Sequence, residues 1–239
     1  MITQQGLLGG IPDPRLPRAP VQHRAVAGID LSLTSCALVI GQVGEAPLVR
    51  VYSSKPAESP RDRRARYRSL VDPIVALVQE HNVAIVLIEG AAHGAMVWRH
   101  KVTKELQPMP QQGHADRSEL RGVLIDRLLD VRISLPSGPV PTIGGRVEDG
   151  HVLRYVAPAV LEPNPSTLKQ YQGGKGNLSK TASVSAFTAR LGRAFSTTDE
   201  ADAYALMMLA MCVSGQSSPE TAPQRKAVLT VLSLLREAA

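Results

Sequence analysis

The sequence is poor in aromatic residues, in cysteine and in long apolar runs. One tryptophan, two phenylalanines and five tyrosines in 239 residues argue against a surface that holds single strands by successive base stacking. Two cysteines, Cys36 and Cys212, exclude a disulfide framework and a cysteine-based zinc site, and their apolar neighbours favour reduced core thiols. No apolar run approaches the ~20 residues of a membrane span, and Pro12 and Asp13 interrupt the N-terminus before a signal-peptide core can form. We therefore expect a cytoplasmic protein with no membrane partner.

What the chain does have is an excess of positive charge. Its 27 Lys and Arg residues outnumber 21 Asp and Glu residues, which gives a formal net charge of +6 and a pI near 9.6. This balance predicts a polyanionic partner, and with so few aromatics the backbone phosphates of a nucleic acid would supply most of the affinity. Arginines concentrate between Arg61 and Arg68 on one predicted helix, either as a solvated face or as a phosphate-positioning patch. A hydrophobic content of 44% excludes wholesale disorder.

Short apolar runs and helical periodicity follow one another along the chain. Three strands joined by short turns are predicted at its start, as in an antiparallel meander. The apolar run 83–90 lacks alternation, which is typical of a parallel strand buried on both faces. Proline and glycine predict a loop over 134–150, and 151–158 is predicted to return as a strand. We predict a flexible arm over 1–23, one α/β domain with a mixed sheet over 24–215, and a C-terminal helix within 216–239 that packs on it.

Four carboxylates occur where an acid is costly. Asp30 and Glu89 close two apolar strands, and Asp199 and Asp202 share one face at the start of a helix that is apolar nearly all round. Each could instead cap a strand at the surface or complement the helix dipole. Together they offer only oxygen donors, which suit hard cations such as Mg²⁺ or Mn²⁺. Two such ions can activate water and stabilise the leaving oxygen in phosphodiester hydrolysis.

The order of these acids and the segments around them resemble the RNase H-like nucleases. Within that group the chain resembles the RuvC Holliday-junction resolvases, especially the variants of actinobacterial phages. The similarity covers four pieces in order: GIDLSLTSCALVI, VLIEG, TLKQYQGGKGNLSKTASV and TDEADAYALMMLA. The chain departs from the family in two ways. Ala91, Ala92 and His93 follow Glu89, where the family commonly has an aromatic residue, and the segments 137–150 and 161–165 resemble insertions.

The resemblance implies a fold, an activity and a site. The fold would be an RNase H-like α/β fold with a mixed central sheet, a three-strand antiparallel meander plus parallel strands, flanked by helices. The activity would be metal-dependent, structure-selective DNA cleavage by a homodimer that resolves four-way or branched DNA by paired nicks, with two Mg²⁺ or Mn²⁺ per active site. The family's roles fall on these positions: metal ligation on Asp30, Glu89, Asp199 and Asp202, catalytic assistance on Lys180, and DNA contact on Lys169, Lys180 and the turn with Gly174 and Gly176. Lys175 lies in the same turn, where backbone N–H groups can also approach phosphate, and is a further candidate for DNA contact.

Two other functions compete with this interpretation. GIDLSLT also resembles the first phosphate loop of sugar kinases and actin-like ATPases, but no second phosphate loop follows and we expect no nucleotide cofactor. A non-catalytic junction-binding protein is the other alternative, although the full set of four acids argues against it.

Overall fold

The computed structural model describes residues 24–55, 59–90, 97–99, 106–108, 111–137, 147–148 and 151–237. The predicted arm over 1–23, the residues 91–93 where the family carries an aromatic, and most of the predicted insertion at 137–150 lie outside these ranges. The strands are β1 (Val26–Leu31), β2 (Ser35–Gly41), β3 (Leu48–Ser53), β4 (Ile85–Ile88), β5 (Val97–Arg99), β6 (Leu106–Pro108), β7 (Ile133–Ser137), β8 (Val147–Glu148), β9 (His151–Val156) and β10 (Ala159–Leu161). The helices are α1 (Pro60–Glu80), α2 (Gln111–Leu129), α3 (Pro165–Gly173), α4 (Lys180–Leu191), α5 (Thr198–Val213) and α6 (Ala222–Glu237).

A five-stranded mixed sheet forms the centre, in the order β10-β4-β1-β2-β3. Strands β1, β2 and β3 form the predicted antiparallel meander, and β4 lies parallel to both β1 and β10. Val86, Leu87 and Ile88 of β4 are fully buried, as the unbroken apolar run predicts for a strand covered on both faces. The mixed α/β architecture predicted from the sequence is therefore confirmed.

Alternate residues of β1 face two separate apolar layers. Ala27 and Ile29 belong to the core that also holds the buried residues of α1 and α2. Val26 points to the other face, where α5 and α6 supply most of the apolar side chains. The helix α5 lies directly on β1 and β2, and α6 packs against α3 and α5. None of the helices, within the residues that the structure describes, is long and apolar enough to cross a membrane.

One prediction for the middle of the chain is wrong and another is confirmed. The predicted loop at 134–150 begins with a strand, because β7 pairs with β9 from Ile133 to Ser137. Pro136 is tolerated there because β7 is an edge strand of a small sheet ordered β7-β9-β8. The strand predicted at 151–158 is confirmed as β9 (His151–Val156), which lies in this small sheet, and the fifth strand of the central sheet is β10. At three residues, β10 is too short for its pattern to be recognised between Pro158 and Pro163.

Candidate active site

The register of two parallel strands brings Asp30 and Glu89 together. Ile29 of β1 lies beside Ile88 of β4, and the backbone N–H of Glu89 donates to the carbonyl of Ile29 at 3.2 Å. The next residues, Asp30 and Glu89, therefore lie side by side where the strands end. Because side chains alternate along a strand, Asp30 lies on the same face as Val26, which is the face that α5 covers.

A glycine lets α5 approach this face closely. A Cβ atom on Gly28 would lie 2.1 Å from the carbonyl oxygen of Ala203 and 2.3 Å from the backbone nitrogen of Met207. The backbone of α5 thus rests on β1 itself, two residues before Asp30. This contact places the N-terminal part of α5, with Asp202, over the ends of β1 and β4. Gly28 was not singled out in the sequence, because only the packed helix shows why a side chain is excluded there.

Three carboxylates converge at this edge of the sheet. One oxygen each from Asp30, Glu89 and Asp202 lie within 4.8 Å of one another. Asp30 and Asp202 are only 5% and 4% exposed. Burial, followed by the charge of Glu89, raises the pKa of Asp30 to about 8. Burial and the charge of Asp202 also raise the pKa of Glu89, against the opposing charges of Lys180, Arg121 and Lys169.

Lys180 connects the fourth acid to this cluster. Its Nζ lies 3.5 Å from Asp30 Oδ2, 3.1 Å from Asp202 Oδ2 and 3.3 Å from Asp199 Oδ1. Burial alone would lower the pKa of Lys180, but the charges of Asp30 and Asp202 outweigh it and raise the pKa above its ordinary value. The lysine side chain is 48% exposed, so the ammonium stands between the buried acids and solvent.

Asp199 differs from the other three acids in its surroundings. It lies outside the three converging carboxylates and accepts a hydrogen bond of 2.5 Å from Ser35 Oγ. Burial raises the pKa of Asp199, but the hydrogen bond from Ser35 and the charge of Lys180 more than offset it, so the pKa is lowered. Asp199 is therefore held ionised, whereas Asp30 and Glu89 resist ionisation.

Three polar residues at the site were missed by the sequence analysis. Gln172 is buried and donates from Nε2 to Asp202 Oδ1 at 2.6 Å, while Arg190 binds the Gln172 carbonyl at 3.3 Å. Ser35 orients Asp199, as described above. Arg121 of α2 donates to the backbone carbonyl of Glu89. Ser35 and Gln172 join elements far apart in the chain, so only the tertiary structure identifies them.

The residues predicted to contact DNA surround the turn between α3 and α4. Gly174 ends α3 in a left-handed conformation with φ +85°, and a Cβ on Gly176 would lie 2.9 Å from the Ser166 carbonyl oxygen. The local backbone therefore explains why glycine is present at both positions. Lys175 is exposed, and Lys169 is half-buried close enough to Glu89 for its charge to lower that residue's pKa. The DNA-contact role of this turn stays a prediction.

The acidic cluster fits a divalent cation by its chemistry. All its donors are carboxylate oxygens, which suit Mg²⁺ or Mn²⁺ and not the softer metals. The raised pKa values of Asp30 and Glu89 show that their negative charges lack full compensation, and a bound cation would supply it. Asp30, Glu89 and Asp202 are the residues that would hold the ion, with Asp199 beside them.

Comparison with family models and with curated proteins finds no match to the sequence. Among solved structures, the chain is similar to Thermus thermophilus RuvC in complex with a Holliday junction substrate. The TM-score is 0.52 at 17% identity, over 81% of this chain and 97% of that chain. A second Thermus thermophilus RuvC structure is similar at a TM-score of 0.49 and 16% identity, over the same shares of the two chains.

The chain has the fold of RuvC. The RNase H-like architecture that the resemblance implied is thereby confirmed, with its antiparallel meander and parallel strands. At 17% identity the likeness concerns the fold alone. The activity has to be argued from the site.

Proposed function

We propose that the chain is a divalent-metal-dependent endonuclease that cuts branched DNA and resolves Holliday junctions by paired nicks. The observation that carries this proposal is the convergence of Asp30, Glu89 and Asp202 within 4.8 Å at the edge of an RNase H-like sheet. The solved RuvC complex holds a Holliday junction, and the net charge of +6 suits a DNA substrate.

The proposed site divides its tasks among this chain's own residues. Asp30, Glu89 and Asp202, with Asp199, would hold two Mg²⁺ or Mn²⁺ ions. When bound, such ions supply an activated water for in-line attack on phosphorus and stabilise the departing 3′ oxygen. Gln172 and Ser35 fix the orientation of Asp202 and Asp199 through their hydrogen bonds.

Lys180 has a separate task at the exposed side of the cluster. Its ammonium is held near three acids, yet the side chain as a whole remains 48% exposed. It can therefore approach a phosphate that enters from solvent and offset the negative charge that develops on the pentacoordinate phosphorus. Lys169, Lys175 and the glycine turn at Gly174 and Gly176 would position the neighbouring backbone.

Paired nicks require two such sites, one over each of two opposing strands. We therefore include a homodimer in the proposal, with one acidic cluster in each subunit. Sedimentation of the purified chain at cleavage concentrations tests this part by itself. A monomer that still cuts both strands of a junction symmetrically would contradict it.

The deciding experiment compares end-labelled four-way, flap and linear DNA of the same sequence with Mg²⁺, with Mn²⁺ and with EDTA. We expect metal-dependent cleavage of branched DNA and a loss of more than about 100-fold in Asp30→Asn and Asp202→Asn. Asp130→Asn is the matched control, because that acid is exposed and lies beyond the end of α2. Junction binding without cleavage under any condition would instead indicate a non-catalytic binder, and wild-type cleavage by either site variant would refute the site assignment.

A further inference from the structure

The start of α1 carries more positive charge than helix stability favours. The first nine residues, 60–68, contain five arginines and one acid. The N-terminal end of a helix is the positive end of its dipole, so cations there are unfavourable. Arg61 and Arg64, and Arg64 and Arg68, are also like-charged neighbours at spacings of three and four residues, which repel. The stability of α1 therefore does not explain this composition.

Two of the five arginines serve the fold. Arg63 forms a salt bridge of 3.0 Å with Asp116 of α2. Arg66 donates to Ser54 Oγ at 2.8 Å and to the carbonyl of Leu33, in the turn between β1 and β2. These contacts hold the start of α1 firmly against its neighbours.

The other three arginines form one exposed stripe, which we call the arginine stripe: Arg61, Arg64 and Arg68. Their spacing places them on one face of α1, and with Pro60 and Ala65 they line a surface concavity. From Arg61 to Arg68 the stripe extends roughly 10 Å along the helix axis. Within the part of the chain that the structure describes, none of the three forms a salt bridge.

The helix that carries the arginine stripe begins at the same edge of the central sheet as the acidic cluster. Ser53, the last residue of β3, pairs with Ser35, and Ser35 donates to Asp199 of the site. The chain then leaves this edge and begins α1 at Pro60. Arg66 ties that first part of α1 to the turn that follows Asp30. The stripe thus lies on a helix that begins at the site's edge of the sheet, on the face of the sheet opposite to α5 and on the side of α1 that is turned away from Arg66.

We propose that the arginine stripe binds the phosphate backbone of a duplex arm of the same DNA that is cut at the acidic cluster. The inference rests on the proposed function, because it takes branched DNA as the substrate. Arginine suits this task because its planar guanidinium donates two parallel hydrogen bonds to a phosphate. Duplex DNA carries one charge per about 1.7 Å of its axis, so a stripe of this length faces several phosphates. Contacts of this kind position the duplex and do not read its sequence.

The test measures how DNA affinity depends on salt in an Asp30→Asn background, which keeps the DNA intact. The probes are an immobile four-way junction and a linear duplex. Each lost phosphate contact reduces the slope of log affinity against log salt by about 0.9, so Arg61→Gln/Arg64→Gln/Arg68→Gln should reduce it by roughly 2.7. A fourfold rise in salt should then weaken the parent about 40-fold more than the triple variant. An unchanged slope on both probes would overturn the proposal.

A single charge removed elsewhere provides the matched control. Arg132 is exposed just before β7 and two residues before Ser134, whose backbone contacts Asn82 at the turn before β4. It therefore lies at the edge opposite to Glu89. Arg64→Gln should lower the slope by about 0.9, whereas Arg132→Gln should leave it unchanged. Equal effects of the two substitutions would show a general charge effect and refute a specific stripe.

Two further readouts separate this proposal from a structural role and from the proposed function. If the stripe served stability, the triple variant would melt at a lower temperature than its parent. Under our proposal its melting temperature should be equal or higher, because the substitutions remove like charges from the positive end of α1. A wild-type chain that cuts no DNA would refute the proposed function, while the salt slope still decides the role of the stripe. Cleavage by the wild type together with an unchanged slope would refute the stripe alone.

Discussion

Substitution of Asp30 by asparagine should stabilise the metal-free protein at neutral and alkaline pH. Asp30 is 5% exposed and lies beside Glu89, and both features oppose its ionisation. Its pKa is raised from 3.8 to about 8, so between these values the folded protein holds a proton that the unfolded chain releases. The stabilisation from this proton is complete below about pH 4 and is lost as the pH rises to about 8. Asparagine has the same shape and carries no charge at any pH.

The magnitude follows from the size of the pKa shift. One pKa unit corresponds to about 1.4 kcal/mol, so the change from 3.8 to about 8 sets an upper bound of roughly 6 kcal/mol on the stability lost. Lys180, at 3.5 Å, and entering water can move toward the carboxylate once it ionises, which reduces this loss. We therefore expect the free energy of unfolding of Asp30→Asn to exceed that of the wild type by about 2 kcal/mol at pH 8 in EDTA. Near pH 4 the two free energies should be nearly equal.

Urea denaturation followed by circular dichroism between pH 4 and pH 8.5 measures this difference directly. The same series with Mg²⁺ should reverse the order, because the wild type then gains stability from the bound cation and the variant gains little. Asp130→Asn controls for the loss of an ordinary exposed carboxylate. A difference between Asp30→Asn and the wild type that stays constant across pH, or a less stable variant at pH 8, would refute the reasoning.

Other substitutions test the supports of the site. Gln172→Leu should weaken the apparent Mg²⁺ affinity in cleavage by about 10-fold to 100-fold, because Asp202 loses its 2.6 Å hydrogen bond. Cleavage should recover at high Mg²⁺, and an unchanged Mg²⁺ dependence would contradict this role of Gln172. Gly28→Ala should lower the free energy of unfolding by about 1–3 kcal/mol, since a Cβ would lie 2.1 Å from the backbone of α5; wild-type stability in urea would contradict that contact. Ser35→Ala should remove about 1.5–3 kcal/mol of interaction with Asp199 and so raise the pKa of that residue. An NMR titration in which the Asp199 carboxyl signal matches that of the wild type would contradict this role of Ser35.

The sequence was informative where local pattern and burial coincide. Alternation and short turns predicted the meander, and the apolar run 83–90 predicted a buried parallel strand. The helix α5 is apolar nearly all round, which indicated that Asp202 at its start faces the protein interior. Three of the four predicted ligands, Asp30, Glu89 and Asp202, do converge, and Asp199 lies next to them through Lys180.

Long-range contacts set the limit of prediction. Ser35 and Asp199 are 164 residues apart, and Gln172 and Asp202 are 30 apart, so no local pattern pairs them. Gly28 is exceptional only because the backbone of α5 lies against it. The strand β10 is defined by its pairing with β4, since its three residues carry too little pattern of their own.

Gln172 supports the site at a cost to the stability of the fold. Its Nε2 holds Asp202, but its Oε1 is buried without a hydrogen-bond partner among the described residues, which costs stability. An apolar residue at this position would avoid that cost, as a neutral residue at position 30 would avoid the desolvation of Asp30. Both costs fall on groups that contact or form the acidic cluster. Both are expected under the proposed function, in which these polar groups orient and hold a cation. The arginine stripe is a similar case at the surface. Repulsion among its three charges destabilises α1, whereas the same charges favour the binding of a polyanion.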